Sequence, residues 1–231
     1  MKFLRPFFNF YGSKWLASPY YPMPIYDTII EPFAGSAGYS LRNYDKKVCL
    51  YDIDPVICGM WDYLIKASSE EIMKLPTDEN NMGNIPQEAK WLIGFWLAHG
   101  SSHPRKTRSP WGKRDKTIKN FWGSEIIQRI ATQVKYIRHW SIHNNSYEKI
   151  ENKYATWFID PPYIEKGFFY LYHKIDYVHL GEWSKNRDGQ IIVCEQDGSS
   201  WLPFEKFKNT KSILGNSKEV IWTKNATWMD V

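Results

Sequence analysis

Four residues at the end of an apolar run are the part of this sequence best suited to chemistry. The run Thr156–Ile159 is typical of a buried strand, and it stops at Asp160, Pro161, Pro162 and Tyr163. Because the prolines fix φ and carry no N–H, the carbonyls of Asp160 and Pro161 are held in place without local hydrogen bonds. Two acceptors and an aromatic face suit a planar ring with an exocyclic amino group. A plain strand end with a Pro-Pro turn is the alternative, and it does not require all three features together.

A second candidate is the glycine-rich turn EPFAGSAG, Glu31 to Gly38. It follows a predicted strand, Tyr26–Ile30, and precedes a predicted helix that begins near Ser40. Glycine at position 35 allows the backbone to approach a ligand closely. The turn lacks the further glycine of a dinucleotide-binding fingerprint, so on its own a purely structural turn explains it about equally well.

Two acids follow the next predicted strand, Val48–Tyr51, and precede a predicted helix, Pro55–Lys66. An acid at the carboxyl end of a second parallel strand can accept hydrogen bonds from a ribose diol. An acid directly before a helix can instead cap it. The positions favour Asp52 as the ribose ligand and Asp54 as the cap.

The order strand, glycine-rich turn, helix, strand and acid is typical of a parallel α/β sheet. The remaining predicted strands are Ser141–His143, Thr156–Ile159, Gln190–Cys194 and a terminal antiparallel hairpin over Lys211–Trp222. The remaining predicted helices are Glu70–Lys74, Gln87–His99 and a long one capped by Ser124. Since ligands bind beyond the carboxyl ends of such strands, Asp160 and the glycine-rich turn are expected to share one crevice.

Length and composition indicate one α/β domain with an insertion, or a domain with a small satellite. The 231 residues are 43% hydrophobic, and the 12 Trp, 15 Tyr and 12 Phe suggest that some rings belong to a binding surface. The three cysteines have no CxxC spacing, no signal peptide is recognised, and no apolar run reaches the roughly 20 residues of a membrane span. We therefore expect a cytoplasmic protein without a membrane segment, a monomer or weak dimer, with a phage or prophage origin left open.

Positive charge is concentrated in one segment, from His103 to Trp122. The net charge is +5, and outside this segment 23 basic residues face 24 acidic ones. The segment holds one acid, Asp115, and seven basic residues: Arg105, Lys106, Arg108, Lys113, Arg114, Lys116 and Lys119. Such a local patch suits a polyanion, and an ordinary solvated loop is the alternative.

Two histidines, His99 and His103, have a spacing that metal ligands can adopt. No third ligand is evident nearby, and Gly100 and Pro104 indicate the end of a helix, so a polar loop is the favoured interpretation and no metal is predicted. Further on, the aromatic stretch Glu165–His173 directly follows Tyr163. We interpret it as a mobile flap over the substrate, with core packing as the alternative.

Taken together, the motifs resemble those of Dam-type S-adenosylmethionine-dependent DNA adenine-N6 methyltransferases. The resemblance rests on FYGSK (Phe10–Lys14), EPFAGSAG (Glu31–Gly38), YDID (Tyr51–Asp54) and DPPY (Asp160–Tyr163), in the order of that family and framing most of the chain. DPPY alone also resembles RNA guanine-N2 methyltransferases, and the N-terminal motif favours the DNA enzymes. The first motif departs from the family, which often has Trp where Phe10 stands.

The resemblance implies a Rossmann-like methyltransferase sheet, mostly parallel with a C-terminal antiparallel hairpin. It implies a catalytic domain over 1–66 and 139–231 and a helical, basic target-recognition insert over 67–138. The implied catalytic residues are Asp160, Pro161, Pro162 and Tyr163. The implied S-adenosylmethionine contacts are Phe10, Lys14, Glu31, Phe33, Ala34, Gly35, Asp52, Ile53, Ser146 and Asp160. The implied DNA contacts are Arg105, Lys106, Arg108, Trp111, Lys113 and Arg114.

The implied activity is methyl transfer to the exocyclic N6 of a flipped adenine, without a metal. Asp160 and the Pro161 carbonyl would accept the amino hydrogens while the base stacks on Tyr163. Two other classes stay open: an amino-methyltransferase acting on RNA or on cytosine N4, and a non-catalytic nucleic-acid-binding protein. The set of Lys14, Gly35, Asp52 and DPPY argues against the non-catalytic class.

Overall fold

The computed structural model describes residues 3–110, 121–212 and 215–228. Within these ranges seven strands form one sheet in the order β3-β2-β1-β4-β5-β7-β6. The strands are β1 (Thr28–Glu31), β2 (Lys47–Asp52), β3 (Ser141–Asn144), β4 (Ala155–Ile159), β5 (Gly189–Gln196), β6 (Glu205–Ser212) and β7 (Gly215–Lys224). The helices are α1 (Pro55–Lys66), α2 (Ser69–Met73), α3 (Gln87–Phe95), α4 (Ser124–Gln133) and α5 (Tyr177–Lys185).

The sheet is mostly parallel. Strands β3, β2, β1, β4 and β5 pair in parallel, whereas β7 runs antiparallel to both of its neighbours, β5 and β6. The predicted α/β class, with a mainly parallel sheet and a C-terminal antiparallel hairpin, is confirmed. The carboxyl ends of β1, β2 and β4 lie side by side, which brings the segments after them to one edge.

Helix α1 begins as the sequence predicts. The Asp54 carboxylate accepts a hydrogen bond from the Val56 N–H at 2.8 Å, and Pro55 occupies the first turn. Asp54 is therefore the helix cap, as predicted. Helix α4 differs slightly, because Gly123 takes the cap position and Ser124 is the first helical residue. Glycine is tolerated at a cap, so the prediction of a Ser124 cap is wrong by one residue.

The prediction of a helix that begins near Ser40 is wrong. A single 3-10 turn, Ser40–Arg42, follows the glycine-rich turn instead. The N-terminal segment occupies the neighbouring space. A Cβ atom on Gly38 would lie 2.5 Å from the backbone nitrogen of Trp15 and 2.8 Å from the carbonyl carbon of Lys14. A longer helix with side chains on this face has no room beside that backbone.

Helix α3 ends at Phe95, earlier than the predicted His99. Two carbonyl groups near its end bond to the segment that follows. Gly94 O accepts from Arg105 N at 3.1 Å, and Leu97 O accepts from Ser109 N at 2.9 Å. Backbone N–H groups at the start of the basic segment thus replace the donors that a continued helix would have supplied to these carbonyls.

Two hydrophobic layers cover the sheet. One layer contains α1 to α4 and the N-terminal segment, and it buries Leu50 of β2 together with Ile72, Leu92 and Ile130 of the helices. The other layer contains α5, and Leu180 packs there. The described parts of the range 67–138, residues 67–110 and 121–138, therefore pack in a core that is continuous with the sheet, while the role of this range as a target-recognition insert stays a prediction.

Residues 3–13 form no helix or strand, yet three of their apolar side chains are fully buried. Leu4, Phe7 and Phe8 have no exposed surface. The backbone of this segment bonds to distant parts of the chain: Arg5 N donates to Gln133 Oε1 at 2.8 Å, and Phe7 O accepts from the Trp96 indole at 2.8 Å. This anchoring fixes the position from which Lys14 extends.

Candidate active site

A pocket of about 450 Å³ lies beyond the carboxyl ends of β1, β2 and β4. Its walls come from residues 10–14, 31–38, 52–54, 145–148 and 170–176, with Ile57, Ser102, Phe158, Asp160 and Pro162. The glycine-rich turn, Asp52 and Asp160 therefore share one crevice, as the strand order predicts.

All ten residues assigned to a cofactor line this pocket: Phe10, Lys14, Glu31, Phe33, Ala34, Gly35, Asp52, Ile53, Ser146 and Asp160. Of the four DPPY residues, Asp160 and Pro162 are in the lining, whereas Pro161 and Tyr163 are not. The pocket thus brings the cofactor set together and places the Tyr163 ring behind its wall.

The glycine-rich turn owes its shape to left-handed backbone at two positions. Gly35 has φ +42° and Ala37 has φ +50°. A Cβ atom on Gly35 would lie 2.9 Å from the Phe10 ring, and the Gly35 carbonyl accepts from the Trp61 indole at 2.8 Å. The turn is therefore held between Phe10 and Trp61, with its backbone in the pocket wall.

Asp52 supports the turn through both carboxylate oxygens. Oδ2 accepts from Gly35 N at 3.1 Å, and Oδ1 accepts from Asp54 N at 2.9 Å. Burial raises the pKa of Asp52 to about 6, although the backbone hydrogen bonds from Asp54 and Gly35 oppose the shift. Each oxygen keeps a second lone pair, so the carboxylate can still accept hydrogen bonds from a hydroxyl pair.

Glu31 lies at the end of β1 and is only 2% exposed. Its Oε1 accepts from Ser40 N at 2.9 Å. Burial raises the pKa of Glu31 to about 8, so this carboxyl is mostly protonated at neutral pH. It therefore contributes a neutral hydrogen-bonding group to the pocket floor and fixes the 3-10 turn that follows.

Lys14 and Asp160 form a buried ion pair. The Lys14 ammonium lies 2.9 Å from Asp160 Oδ1, with side chains 10% and 19% exposed. Burial raises the pKa of Asp160 to about 6 although Lys14 opposes the shift. Burial alone would lower the pKa of Lys14. The negative charges of Asp160 and Glu219 raise it by more, so the pKa of Lys14 lies above its ordinary value. Both groups are therefore charged at neutral pH.

Tyr163 packs behind this ion pair. Its ring centroid lies 4.5 Å from the Lys14 ammonium, which is a cation–π distance. Its buried hydroxyl makes no hydrogen bond of ordinary geometry, but it lies close enough to the Asp160 carboxylate to act against the rise of the Asp160 pKa. One face of the ring is thus occupied by Lys14, so a base stacking on Tyr163 would need the other face or a displacement of Lys14.

The loop after Asp160 is held by hydrogen bonds from helix α5 and from within the loop itself. The Tyr177 hydroxyl donates to Pro162 O at 2.6 Å, and Gly167 N donates to Tyr163 O at 2.6 Å. Behind the loop, Glu195 of β5 accepts from the Trp201 indole at 3.0 Å, and burial raises its pKa to about 7. These contacts hold the DPPY backbone in a fixed position.

Sequence reasoning did not identify a second buried acid near the site, Glu219 of β7. It is 6% exposed and accepts a short hydrogen bond from the Tyr21 hydroxyl. The signal was an acid next to an apolar run, EVIW, and a similar signal marks Glu195, which directly follows the apolar run IIVC. Both carboxylates influence the pKa of Asp160 or of its neighbours.

Ser146, one of the residues assigned to the cofactor, lies in the pocket wall after β3. Its hydroxyl donates to Glu148 Oε2 at 3.3 Å. The next residue, Tyr147, packs its ring 5.6 Å from that of Phe33 and bonds to His179 at 2.8 Å. This end of the pocket is therefore lined by aromatic rings and small polar groups.

The six proposed DNA contacts separate into three groups. Arg105 and Lys106 are exposed. Arg108 instead forms a bidentate pair with Glu79, at 2.6 and 3.1 Å, and its guanidinium also donates to Trp122 O at 3.1 Å. Trp111, Lys113 and Arg114 lie outside the described residues, as do Asp115, Lys116 and Lys119. Arg108 therefore fastens the basic segment to the neighbouring loop.

Two further features of the described residues concern metal ions and membranes. Among them, no group of three or more His, Cys, Asp or Glu side chains is placed to hold a metal ion. Over the same ranges, no helix has both the length and the apolar character needed to cross a membrane.

No family model and no curated protein matches the chain. Solved structures do match. A conserved hypothetical protein of Streptococcus pyogenes has 12% identity and a TM-score of 0.40, with 92% of each chain covered. A candidate methyltransferase of Escherichia coli, yhhF, has 12% identity and a TM-score of 0.35, covering 93% of this chain and 82% of that one. A candidate methylase of Haemophilus influenzae has 10% identity and a TM-score of 0.33, covering 90% and 83%. Values this low assign neither a family nor an activity, so the function is inferred from the site itself.

Proposed function

We propose that this protein is an S-adenosylmethionine-dependent methyltransferase that modifies the N6 amino group of adenine in DNA. One observation carries the proposal. Asp160, at the end of β4, lines the same pocket as the Gly35 turn after β1 and Asp52 at the end of β2. A site for a nucleoside cofactor and a carboxylate suited to an amino group thus lie within one cavity.

The donor set fits S-adenosylmethionine. Gly35 and Ala37 have left-handed backbone, and a Cβ atom added to Gly35 would collide with the Phe10 ring. The backbone of the turn itself therefore forms this wall of the pocket. We assign the ribose hydroxyls to Asp52, and the adenine end to the wall that contains Phe33 and Ser146. When bound, this cofactor supplies an electrophilic methyl group on a sulfonium.

The DPPY residues act on the substrate amino group. An adenine amino nitrogen is a poor nucleophile, because its lone pair is delocalised into the ring. Lys14 contacts Oδ1 of Asp160, and we assign the other oxygen, Oδ2, to one amino hydrogen. The Pro161 carbonyl would accept the other hydrogen, so the nitrogen would become more tetrahedral with its lone pair toward the methyl donor. As the nitrogen–methyl bond forms, the methyl–sulfur bond would break to leave a neutral thioether, and the proton lost by the nitrogen would pass to the Asp160 carboxylate or to solvent. Catalysis would come mainly from positioning and electrostatics.

DNA is the proposed substrate because of the charge beside the pocket. Ser102 lines the pocket, and the exposed Arg105 and Lys106 follow it three and four residues later in the sequence. The sequence of this segment carries seven basic residues against one acid. A base paired inside a duplex cannot reach Asp160, so the proposal requires that the target base leaves the stack.

The test is expression in a host that lacks adenine methylation, followed by nucleoside digestion and mass spectrometry of its DNA and RNA. N6-methyladenine should accumulate in DNA with the unaltered chain and not with Asp160→Ala. N4-methylcytosine in DNA, or a methylated nucleoside in RNA alone, would reassign the substrate. No methylated nucleoside in either pool, with the protein folded and S-adenosylmethionine present, would contradict the proposed reaction.

A further inference from the structure

A row of aromatic rings leads from the protein surface to the pocket. Phe168 lies 4.2 Å from Phe169, Phe169 lies 4.9 Å from Tyr11, and Tyr11 lies 5.5 Å from Tyr170, measured between ring centroids. Tyr11 and Tyr170 line the pocket, whereas Phe168 and Phe169 are 63% and 44% exposed. We call these four residues the aromatic track.

The aromatic track is held in place by its backbone. The Ser102 hydroxyl donates to Phe169 O, and the Tyr170 hydroxyl donates to Tyr11 O at 3.1 Å. A Cβ atom on Gly12 would lie 2.3 Å from the Tyr170 hydroxyl, so the loop that carries Tyr11 approaches as closely as glycine permits. These contacts hold the backbone that carries the exposed rings beside the pocket mouth, which lowers the entropy cost of binding.

Positive charge adjoins the aromatic track on one side. Over residues 164–176 the charges balance, with Lys166 and Lys174 against Glu165 and Asp176. The excess comes from the segment that begins at Ser102, where His103, Arg105 and Lys106 are exposed. Exposed rings beside a basic segment suit a partner with accessible base faces and a phosphate backbone.

We propose that the aromatic track binds unpaired bases, so that the nucleic acid that reaches this pocket is single-stranded on the side of Phe168. The bases of a duplex are stacked on each other and offer no face to Phe168 or Phe169, whereas the bases of a single strand do. The exposed Arg105 and Lys106 would contact its phosphates. This inference rests on the proposed function and specifies the strand state of the substrate.

The experiment measures binding by fluorescence anisotropy, with the full-length protein and no cofactor. The probes are a labelled single strand of about 16 nucleotides, a length that single-strand-binding proteins occupy, and the same strand in a duplex. The single strand should bind more tightly than the duplex. Phe168→Ala should weaken single-strand binding about five-fold or more, because stacking contributes about 1–3 kcal/mol per base. Phe168→Trp keeps a ring and should bind like the unaltered protein.

The matched control is Val178→Ala, since Val178 is 75% exposed but lies outside the aromatic track. It should leave both affinities unchanged. Equal affinity for duplex and single strand, with no effect of Phe168→Ala, would overturn the inference. Self-association in sedimentation velocity that Phe168→Ala abolishes, without nucleic-acid binding, would assign the surface to a second copy and overturn it too.

The binding and methylation measurements separate the two proposals. Methylated DNA together with unaffected single-strand binding in Phe168→Ala would remove the role of the aromatic track and leave the reaction in place. Single-strand binding that depends on Phe168, without any methylated nucleoside, would remove the proposed reaction and leave the binding surface in place.

Discussion

The ammonium nitrogen of Lys14 lies 2.9 Å from Oδ1 of Asp160, which joins the N-terminal loop to the end of β4 inside the pocket wall. The contact gives the DPPY carboxylate a counter-ion before any substrate is bound. Glu219 adds a second negative charge close to the same lysine. The charge of Asp160 therefore depends on Lys14, and the proposed reaction depends on that charge.

Lys14→Met removes the counter-ion and leaves Asp160 in a buried place. The pKa of Asp160, about 6 in the unaltered protein, should rise, because Lys14 acts to lower it. The acid limb of the methylation rate against pH should therefore move to higher pH, and the free energy of unfolding should fall by about 3–5 kcal/mol, as for a broken buried pair. Lys46→Met is the matched control, since Lys46 pairs with Asp27 at 2.8 Å on the exposed surface. An unmoved acid limb in Lys14→Met would contradict this role.

Asp160→Ala should slow the chemical step by about 100-fold or more, which is typical when a positioned electrostatic group is lost. Single-turnover methylation at saturating cofactor isolates that step. Binding of S-adenosylmethionine should change less than the rate, which calorimetry checks. A near-normal single-turnover rate in Asp160→Ala would show that another group holds the amino hydrogens.

Tyr163→Phe removes a buried hydroxyl that has no hydrogen-bond partner of ordinary geometry. The thermal midpoint should change little, because the hydroxyl makes no hydrogen bond of ordinary geometry, while the pKa of Asp160 should rise slightly because the hydroxyl acts to lower it. Methylation should be largely retained, since the ring and its contact with Lys14 persist. Tyr163→Ala should lose both the ring and the stacking, and should weaken capture of the base by about 1–3 kcal/mol. A slow Tyr163→Phe beside a near-normal Asp160→Ala would invert the two roles.

Asp52→Ala should weaken the binding of S-adenosylmethionine by about 1–3 kcal/mol, since it removes an acceptor from the pocket wall. In the unaltered protein the affinity should fall as pH drops through about 6, where Asp52 gains a proton. Isothermal titration calorimetry at several pH values tests both statements. Asp62→Ala, an exposed acid on α1 paired with Lys66, is the control. Unchanged affinity in Asp52→Ala would refute the ribose assignment.

Gly38→Ala should destabilise the protein and weaken cofactor binding together. The added methyl would lie 2.5 Å from Trp15 N, so the backbone that carries Lys14 must shift. Overpacking of this kind costs about 1–3 kcal/mol. Thermal melting and cofactor titration measure the two effects. Gly123→Ala, where a Cβ meets nothing within 4 Å, should alter neither by a comparable amount.

Much of the fold could be predicted because local patterns determine it. The apolar strands, the Asp54 cap and the bounds of helix α1 all follow from short-range signals. The shared pocket of Gly35, Asp52 and Asp160 follows from a general property of parallel sheets. These features need no knowledge of which distant residues meet.

The remaining features depend on contacts between residues that are far apart in the sequence. The helix near Ser40 is replaced by a single turn because the Lys14 backbone passes beside Gly38. Arg108 pairs with Glu79, and Glu219 pairs with Tyr21, through contacts between segments far apart in sequence. No local pattern encodes these partners, so a basic residue assigned to DNA proves to have a partner within the chain.

The buried N-terminal segment has a consequence for how the protein is made. Leu4, Phe7 and Phe8 are synthesised before Trp96 and Gln133. In the folded chain, Trp96 and Gln133 form hydrogen bonds with the backbone of this N-terminal segment. During translation these apolar side chains must therefore stay uncovered until the helical layer has left the ribosome. We expect docking of the segment to follow the synthesis of these partners, and docking also brings Lys14 to Asp160. A nascent chain thus cannot assemble its candidate active site before its helical layer is in place.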